Sequence, residues 1–117
     1  MSTKKLPRAE WQRYFDRVSK ALEGKLAEIE VASLALGDQV EAKWLPLTGI
    51  VYDPKSDIVE IILEGLDHMI PRPRDIAVQE EPIGVASIEV TDANGAMQIV
   101  KLRDPLLLPP PSGSSSR

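Results

Sequence analysis

From residue 25 onward, apolar side chains alternate with polar ones in short runs that are separated by turn residues. In the run at 25–33, Ala27 and Ile29 alternate with Glu28 and Glu30. A period of two places successive side chains on opposite faces of a strand, so each run predicts a strand with one buried face. About seven or eight such runs follow one another to residue 104, which predicts an antiparallel sheet that is strongly bent or closed into a small barrel.

Asn94-Gly95 is the strongest turn signal in the chain, and it lies between alternating runs at 85–92 and 96–102. Both residues tolerate the left-handed backbone that tight hairpins require. The pair therefore predicts a β-hairpin. A second turn is predicted at 53–56, where Pro54 fixes φ.

Prolines interrupt the strand pattern at two further places, Pro46 and the doublet Pro71 and Pro73. Proline cannot donate a hydrogen bond to a neighbouring strand, so it belongs at edges, bends or strand ends. We therefore expect strands at 39–45 and 47–53 to be separate. Both breaks predict corners where the chain passes from one side of the sheet to the other.

A helical pattern precedes the strands and predicts a helix over residues 8–23. Pro7 suits its first turn and Gly24 suits a left-handed end. Its apolar side chains recur at helical spacing and form one stripe, made of Trp11, Tyr14, Phe15, Val18 and Leu22. The stripe must be buried, so the predicted fold is α+β and mainly β, with the N-terminal helix packed on the sheet.

The chain of 117 residues is expected to form one domain at 8–104. Residues 1–7 are expected to be a flexible N-terminus. Residues 105–117, rich in proline and serine, are expected to be a disordered tail.

Several classes of function have no sequence support. The chain has no cysteine and one histidine, and it contains neither a glycine-rich nucleotide motif nor a nucleophile elbow, so no metal, cofactor or catalytic residue is predicted. We read no secretory signal at the N-terminus and no membrane-spanning run, which makes the cytoplasm the expected location. These absences favour a non-enzymatic protein without deciding the matter.

His68 lies in the stretch GLDHMIPRPRDIAV, close to Arg72 and Arg74. A histidine and two arginines could bind a small ligand or an anion, so these three residues form one candidate binding site. However, Leu66, His68 and Ile70 share one face of the predicted strand, which favours a half-buried structural histidine. The two arginines lie at the proline break and are expected to be exposed.

A second candidate surface lies on the helix, where Arg13, Arg17 and Lys20 fall opposite the apolar stripe. Net charge is −4, yet residues 1–25 hold seven bases and three acids, about +4, which leaves about −8 for the remainder. The simplest interpretation is a solvated basic face on a helix that packs on the core. The alternative that this asymmetry suits is contact with an acidic protein or head-to-tail self-association. Nucleic acid or a membrane surface is a weaker alternative, because the chain is acidic overall and the sheet needs the same stripe.

A series of short motifs also resembles a known family. The motifs are Glu10-Trp11, Phe15, Gly24, VEAKWLPLTGIVYD (40–53), His68, Ile70, Pro73, Ile76, Val78 and Gly95. Their order resembles a family of small bacterial proteins classed as a domain of unknown function, over about residues 9–103. The resemblance implies a shared shape and assigns no activity. The leading hypothesis is therefore a module that works through protein contacts, as a homo-oligomer or with another protein, and the alternative is a ligand-binding protein.

Overall fold

The computed structural model describes residues 2–22, 24–33, 37–82 and 84–107. Eight strands, one 3₁₀ turn and one α-helix make up these residues. In chain order they are β1 (Ser2–Lys5), the 3₁₀ turn (Arg8–Glu10), α1 (Trp11–Lys20), β2 (Leu26–Ser33), β3 (Gly37–Asp53), β4 (Ile58–Leu63), β5 (Leu66–Pro71), β6 (Pro73–Glu81), β7 (Gly84–Asp92) and β8 (Met97–Leu106). The predicted fold class, α+β and mainly β, is confirmed.

The strands form an antiparallel sheet in the order β1-β6-β7-β8-β2-β3-β4-β5. Within the described residues, β1 and β5 each pair on one side only, so the sheet is open and does not close into a barrel. Both outermost strands therefore present unpaired backbone groups.

The sheet bends where β3 changes its partner. Residues 37–46 of β3 pair with β2, whereas residues 47–53 pair with β4. Trp44, two residues before Pro46, has a left-handed φ of 52°. The predicted corner at Pro46 is confirmed, but the expectation of two separate strands is wrong, because the bend leaves the strand continuous.

A second corner joins β5 to β6 at the proline doublet, as predicted. Arg72, between Pro71 and Pro73, has a φ of 51°, and its N–H donates to the carbonyl of Asp57 at 2.8 Å. β5 pairs with β4, and β6 pairs with β7 and β1. The chain thus crosses from one end of the sheet to the other at this residue.

The apolar stripe of the helix is buried, as predicted, and its members are Trp11, Tyr14, Phe15, Val18 and Leu22. The helix itself is shorter than the expected 8–23, because residues 8–10 form a 3₁₀ turn and the α-helix ends at Lys20. Gly24 has a φ of 77°, the left-handed conformation expected of it. The stripe packs with the inner face of the sheet into one core.

Both chain ends depart from the sequence-based expectation. Residues 2–5, expected to be flexible, form β1 against β6, and buried Leu6 anchors this strand through its N–H to the carbonyl of Ile76 at 2.8 Å. Residues 105 and 106, expected to belong to the tail, end β8, where Leu106 is buried opposite Val85. Burial of an apolar side chain explains each extension. Met1 and residues 108–117 lie outside the described residues.

Candidate protein-interaction surface

β5 has two chemically distinct faces. Leu66, His68 and Ile70 point inward, and Ile70 is fully buried. Asp67, Met69 and Pro71 are exposed. The alternation predicted from the sequence is therefore confirmed, and it leaves a methionine on the outer face of an outermost strand.

No strand of the described residues pairs with β5 on the side away from β4. The two residues between β4 and β5, Glu64 and Gly65, form a hairpin loop closed by the pair Leu63 and Leu66. The closing pair of such a hairpin is hydrogen-bonded, and the bonding alternates along the strand. The N–H and C=O groups of Asp67 and Met69 consequently point to the open edge.

An apolar patch adjoins this edge on the outer face of the sheet. Val51 of β3 lies opposite Glu60 of β4, which in turn lies opposite Met69 of β5. The exposed fractions are 41% for Val51 and 54% for Met69, values that are high for large apolar residues. Together with Ile58 and three polar side chains, those of Asp53, Ser56 and Glu60, they line a shallow depression. We call Val51, Ile58, Asp67, Met69 and Pro71 the β5 edge surface.

On the inner face, His68 holds β5 against β8. Its Nε2 is hydrogen-bonded to Oε1 of Gln98, and Nε2 of Gln98 donates to a carboxylate oxygen of Asp92 at 3.0 Å. Because the carboxylate can only accept, the amide is oriented with its oxygen toward His68, and Nε2 of His68 must donate. The other oxygen of Asp92 accepts from Asn94 N–H and Ala96 N–H, at 2.9 and 3.1 Å. The histidine is thus tied to the turn between β7 and β8.

A second polar network fixes the corner beyond β5. The Arg8 guanidinium donates to the Pro73 carbonyl at 2.9 Å, to the Tyr52 hydroxyl at 3.2 Å and to the Asp57 carboxylate at 3.3 Å. The Tyr52 hydroxyl donates to Asp57 at 2.8 Å. Burial, followed by this bond to Asp57, raises the pKa of Tyr52 above its ordinary value of 10.0. Arg8 also lies 4.3 Å from the centre of the Trp11 ring.

Sequence reasoning missed the role of Arg8 because its partners lie far away along the chain. The bond to Pro73 spans 65 residues and that to Tyr52 spans 44 residues. No local period or motif marks such a residue. The corner at Arg72 is nevertheless held by this network, while β5 takes its place at the end of the sheet by pairing with β4.

The three residues of the predicted ligand site do not point to one place. His68 is half-buried and bonded to Gln98 on the inner face, whereas Arg72 and Arg74 are exposed. Nε of Arg74 lies 3.5 Å from a carboxylate oxygen of Asp75. Ligand binding by this set stays a prediction, and the geometry favours a structural role for His68.

The basic helix face lies opposite the buried stripe, as expected. Arg13 and Lys20 are exposed, and the Arg17 guanidinium lies 5.9 Å from the centre of the Tyr14 ring. Since the aromatic stripe is buried in the core, it is not free to enter a membrane or to stack on bases in this fold. A role of this face in protein contacts stays a prediction.

In the described part of the chain, no three His, Cys, Asp or Glu side chains come close enough together to hold a metal ion. No helix in these same residues combines the length and the apolar character that a membrane crossing requires.

Comparison with known proteins assigns the chain to a family. An uncharacterised protein of Aquifex aeolicus (strain VF5) is 41% identical over 110 residues, which cover 93% of this chain and 99% of that protein. No solved structure matches the chain. The sequence profile of a family of unknown function, DUF5335, matches residues 2–111. The resemblance noted in the sequence is thereby confirmed, and the chain belongs to the DUF5335 family of unknown function.

Proposed function

We propose that this protein is a non-enzymatic module that binds other polypeptide chains, and that it binds them at the β5 edge surface. The partner contributes an extended segment that adds a strand to β5. In strand addition, main-chain hydrogen bonds provide affinity, and the side chains on alternate positions provide specificity.

Met69 is the observation that carries this proposal. It is an apolar residue with 54% of its surface exposed, at the centre of a strand that pairs on one side only within the described residues. Proteins usually protect such edges with short strands, lysine or proline. Here Pro71 protects only one end of β5, and Asp67 and Met69 retain their N–H groups.

The chemistry of the surface defines the partner. Met69 and Val51 favour an apolar side chain on the incoming segment, because contact would remove their exposed surface from water. Asp67, Glu60 and Asp53 surround them, so a basic residue next to that apolar side chain would be favoured as well. The segment is therefore extended, apolar at its centre and basic at one end.

Site-specific photo-crosslinking in the bacterium that encodes the protein tests this proposal. A photoreactive amino acid at position 67 is expected to give a discrete adduct, and the additional substitution Met69→Lys is expected to abolish it. The same amino acid at position 43, an exposed site on β3 away from β5, is the control and is expected to give no such adduct.

Mass spectrometry of the adduct then identifies the residue that the crosslinker reached. A discrete adduct through an apolar, base-flanked segment, lost in Met69→Lys, supports the proposal. Absence of any adduct at position 67 with folded protein would overturn it. An adduct that persists in Met69→Lys would do the same.

A further inference from the structure

The two open edges of the sheet differ in their ability to pair with a copy of themselves. β1 has the sequence STKK, so an antiparallel self-pair of β1 would gather four lysines and would bury no apolar side chain. β5 is more favourable, because it carries an apolar residue at its centre and charges of opposite sign near its two ends. Of the two edges, β5 is therefore suited to self-association.

The backbone selects one register for β5 against a second β5. If Met69 lies opposite Met69 of the copy, Asp67 lies opposite Pro71 of the copy, since antiparallel strands run in opposite directions. Both N–H groups available on each edge then find an acceptor. Asp67 N–H meets the carbonyl of Pro71, and the two Met69 residues exchange both of their bonds. The missing N–H of Pro71 falls at the end of the ladder.

The charges agree with the same register. Asp67 is exposed near the hairpin end of β5, with Glu64 beyond it, and Arg72 is exposed at the other end. Neither Asp67 nor Arg72 forms an ion pair within the described residues. A two-fold axis at Met69 places the acidic end of each β5 strand beside the basic end of the other, so the interface contains two such charge contacts.

The apolar surface is also complementary to itself. Val51, Glu60 and Met69 lie in one cross-strand row on the outer face, with Met69 at the edge, and the two-fold axis continues this row into that of the copy. The two Met69 side chains would then lie side by side on a sheet that is continuous through both copies. This contact would cover the Met69 surface that is exposed in the single chain.

We infer that the partner of the β5 edge surface is a second copy of this chain, paired antiparallel through β5 with Met69 on the two-fold axis. This inference rests on the proposed function and names its partner. β5 itself matches the segment expected there, extended and apolar at Met69, with Arg72 as its basic flank.

Analytical ultracentrifugation over a concentration series tests the inference. The unmodified chain is expected to show a monomer–dimer equilibrium, and Met69→Lys is expected to raise its dissociation constant at least about tenfold, a loss of about 1.4 kcal/mol. Met97→Lys is the matched control, because Met97 is also an exposed methionine but lies on β8, which is paired on both sides. It is expected to leave the dissociation constant unchanged.

A charge exchange tests the register independently of Met69. Asp67→Arg and Arg72→Asp are each expected to weaken the dimer severalfold, because each brings like charges together. The double variant restores opposite charges and is expected to recover dimerisation. Failure of the double variant to recover, with both single variants folded by circular dichroism, would overturn the register.

The absence of cysteine from the chain allows a direct geometric test. Two Met69 α-carbons would be about 5.5 Å apart across the axis, within the range that a disulfide can bridge. Met69→Cys is therefore expected to form a disulfide dimer on oxidation. Asp67→Cys is expected to form none, since its two copies would be about 14 Å apart at about 3.4 Å per residue. Faster formation of the disulfide dimer by Asp67→Cys than by Met69→Cys would contradict the inference.

The outcomes separate the inference from the proposed function. A chain that stays monomeric at high concentration, and gives no disulfide dimer through position 69, overturns self-pairing. If the crosslink at position 67 in cells then leads to a different protein, strand addition stands and the partner is that protein. If neither occurs, both proposals are wrong.

Discussion

Ser19 on α1 forms two hydrogen bonds with the backbone of Ile50 on β3. Its Oγ donates to the Ile50 carbonyl at 2.8 Å and accepts from the Ile50 N–H at 3.0 Å. β2 pairs with β3 only as far as Pro46, so the following part of β3 has no second strand beside it in the described chain. Ser19 therefore satisfies the backbone N–H and C=O of buried Ile50, which a neighbouring strand would otherwise bond. The helix thus covers one potential edge of the sheet and leaves β5 as an open one.

Removing this hydroxyl should destabilise the fold. Ser19→Ala leaves the buried N–H and C=O of Ile50 without partners, and we expect a loss of about 2 kcal/mol in the free energy of unfolding. Urea denaturation followed by circular dichroism measures the change. Lys20→Ala, at the exposed neighbouring position, is the control and should lie within about 0.5 kcal/mol of the parent. Equal effects of the two substitutions would show that the Ser19 bonds contribute little.

Removal of the hydroxyl group should have different effects on the free energy of unfolding at Tyr14 and at Tyr52. The Tyr14 hydroxyl is buried and has no hydrogen-bond partner in the described structure, whereas that of Tyr52 donates to Asp57 and accepts from Arg8. We expect Tyr14→Phe to leave the free energy of unfolding unchanged or to raise it by up to about 1 kcal/mol. We expect Tyr52→Phe to lower it by about 1 kcal/mol. Thermal or urea unfolding of both variants and the parent measures the sign of each change in the free energy of unfolding.

Alkaline pH should destabilise the protein through the same tyrosines. Burial, with Glu80 adding to it and Arg17 opposing it, raises the pKa of Tyr14 from 10.0 to about 12. The folded state therefore favours the neutral phenol. This contribution is complete below pH 10 and is lost as pH rises from 10 through about 12.

Unfolding free energies at intervals over that pH range measure this loss. Tyr14→Phe should show a shallower decline, because phenylalanine cannot ionise, and the remaining pKa shift of Tyr52 should still contribute. An identical decline in the parent and in Tyr14→Phe would contradict the prediction.

His68 and Gln98 should be energetically coupled. Gln98 is only 8% exposed and bridges His68 to Asp92, so loss of either partner breaks the same bond. A double-mutant cycle of His68→Ala and Gln98→Ala should give a coupling free energy of about 1 kcal/mol. Gln79 bonds to Thr3 and Glu89 instead, so the cycle of His68→Ala with Gln79→Ala should be additive within about 0.5 kcal/mol. Additivity in both cycles would leave His68 available for ligand binding.

The reliable sequence predictions were those encoded by neighbouring residues. The helix stripe from Trp11 to Leu22 and the hairpin at Asn94-Gly95 follow from local spacing and backbone preference, and both are present in the structure. The inward position of His68 follows from the same strand period. For the β5 edge surface, alternation along the strand predicted that Met69 and His68 point to opposite faces of the sheet. It did not predict that Met69 is exposed.

Features that depend on distant contacts could not be predicted. β1 forms because β6 supplies its partner strand, with Lys5 opposite Ala77. The prolines predicted the corner at Arg72, but they did not predict that Arg8 holds it by donating to the Pro73 carbonyl 65 residues away. Similarly, β3 stays continuous because two different strands pair with its halves. The free energy of such contacts depends on the whole fold, and no local pattern contains it.

By itself, therefore, the sequence determined which side chains lie on the buried face of the predicted helix and strands, because the periods of helix and strand are properties of the local backbone. Only the tertiary structure decided the order of the strands. That order places β5 at the end of the sheet, where its outward methionine and unpaired N–H groups are open to a partner. An open edge is defined by the neighbour that a strand lacks, which is a property of the assembled sheet alone.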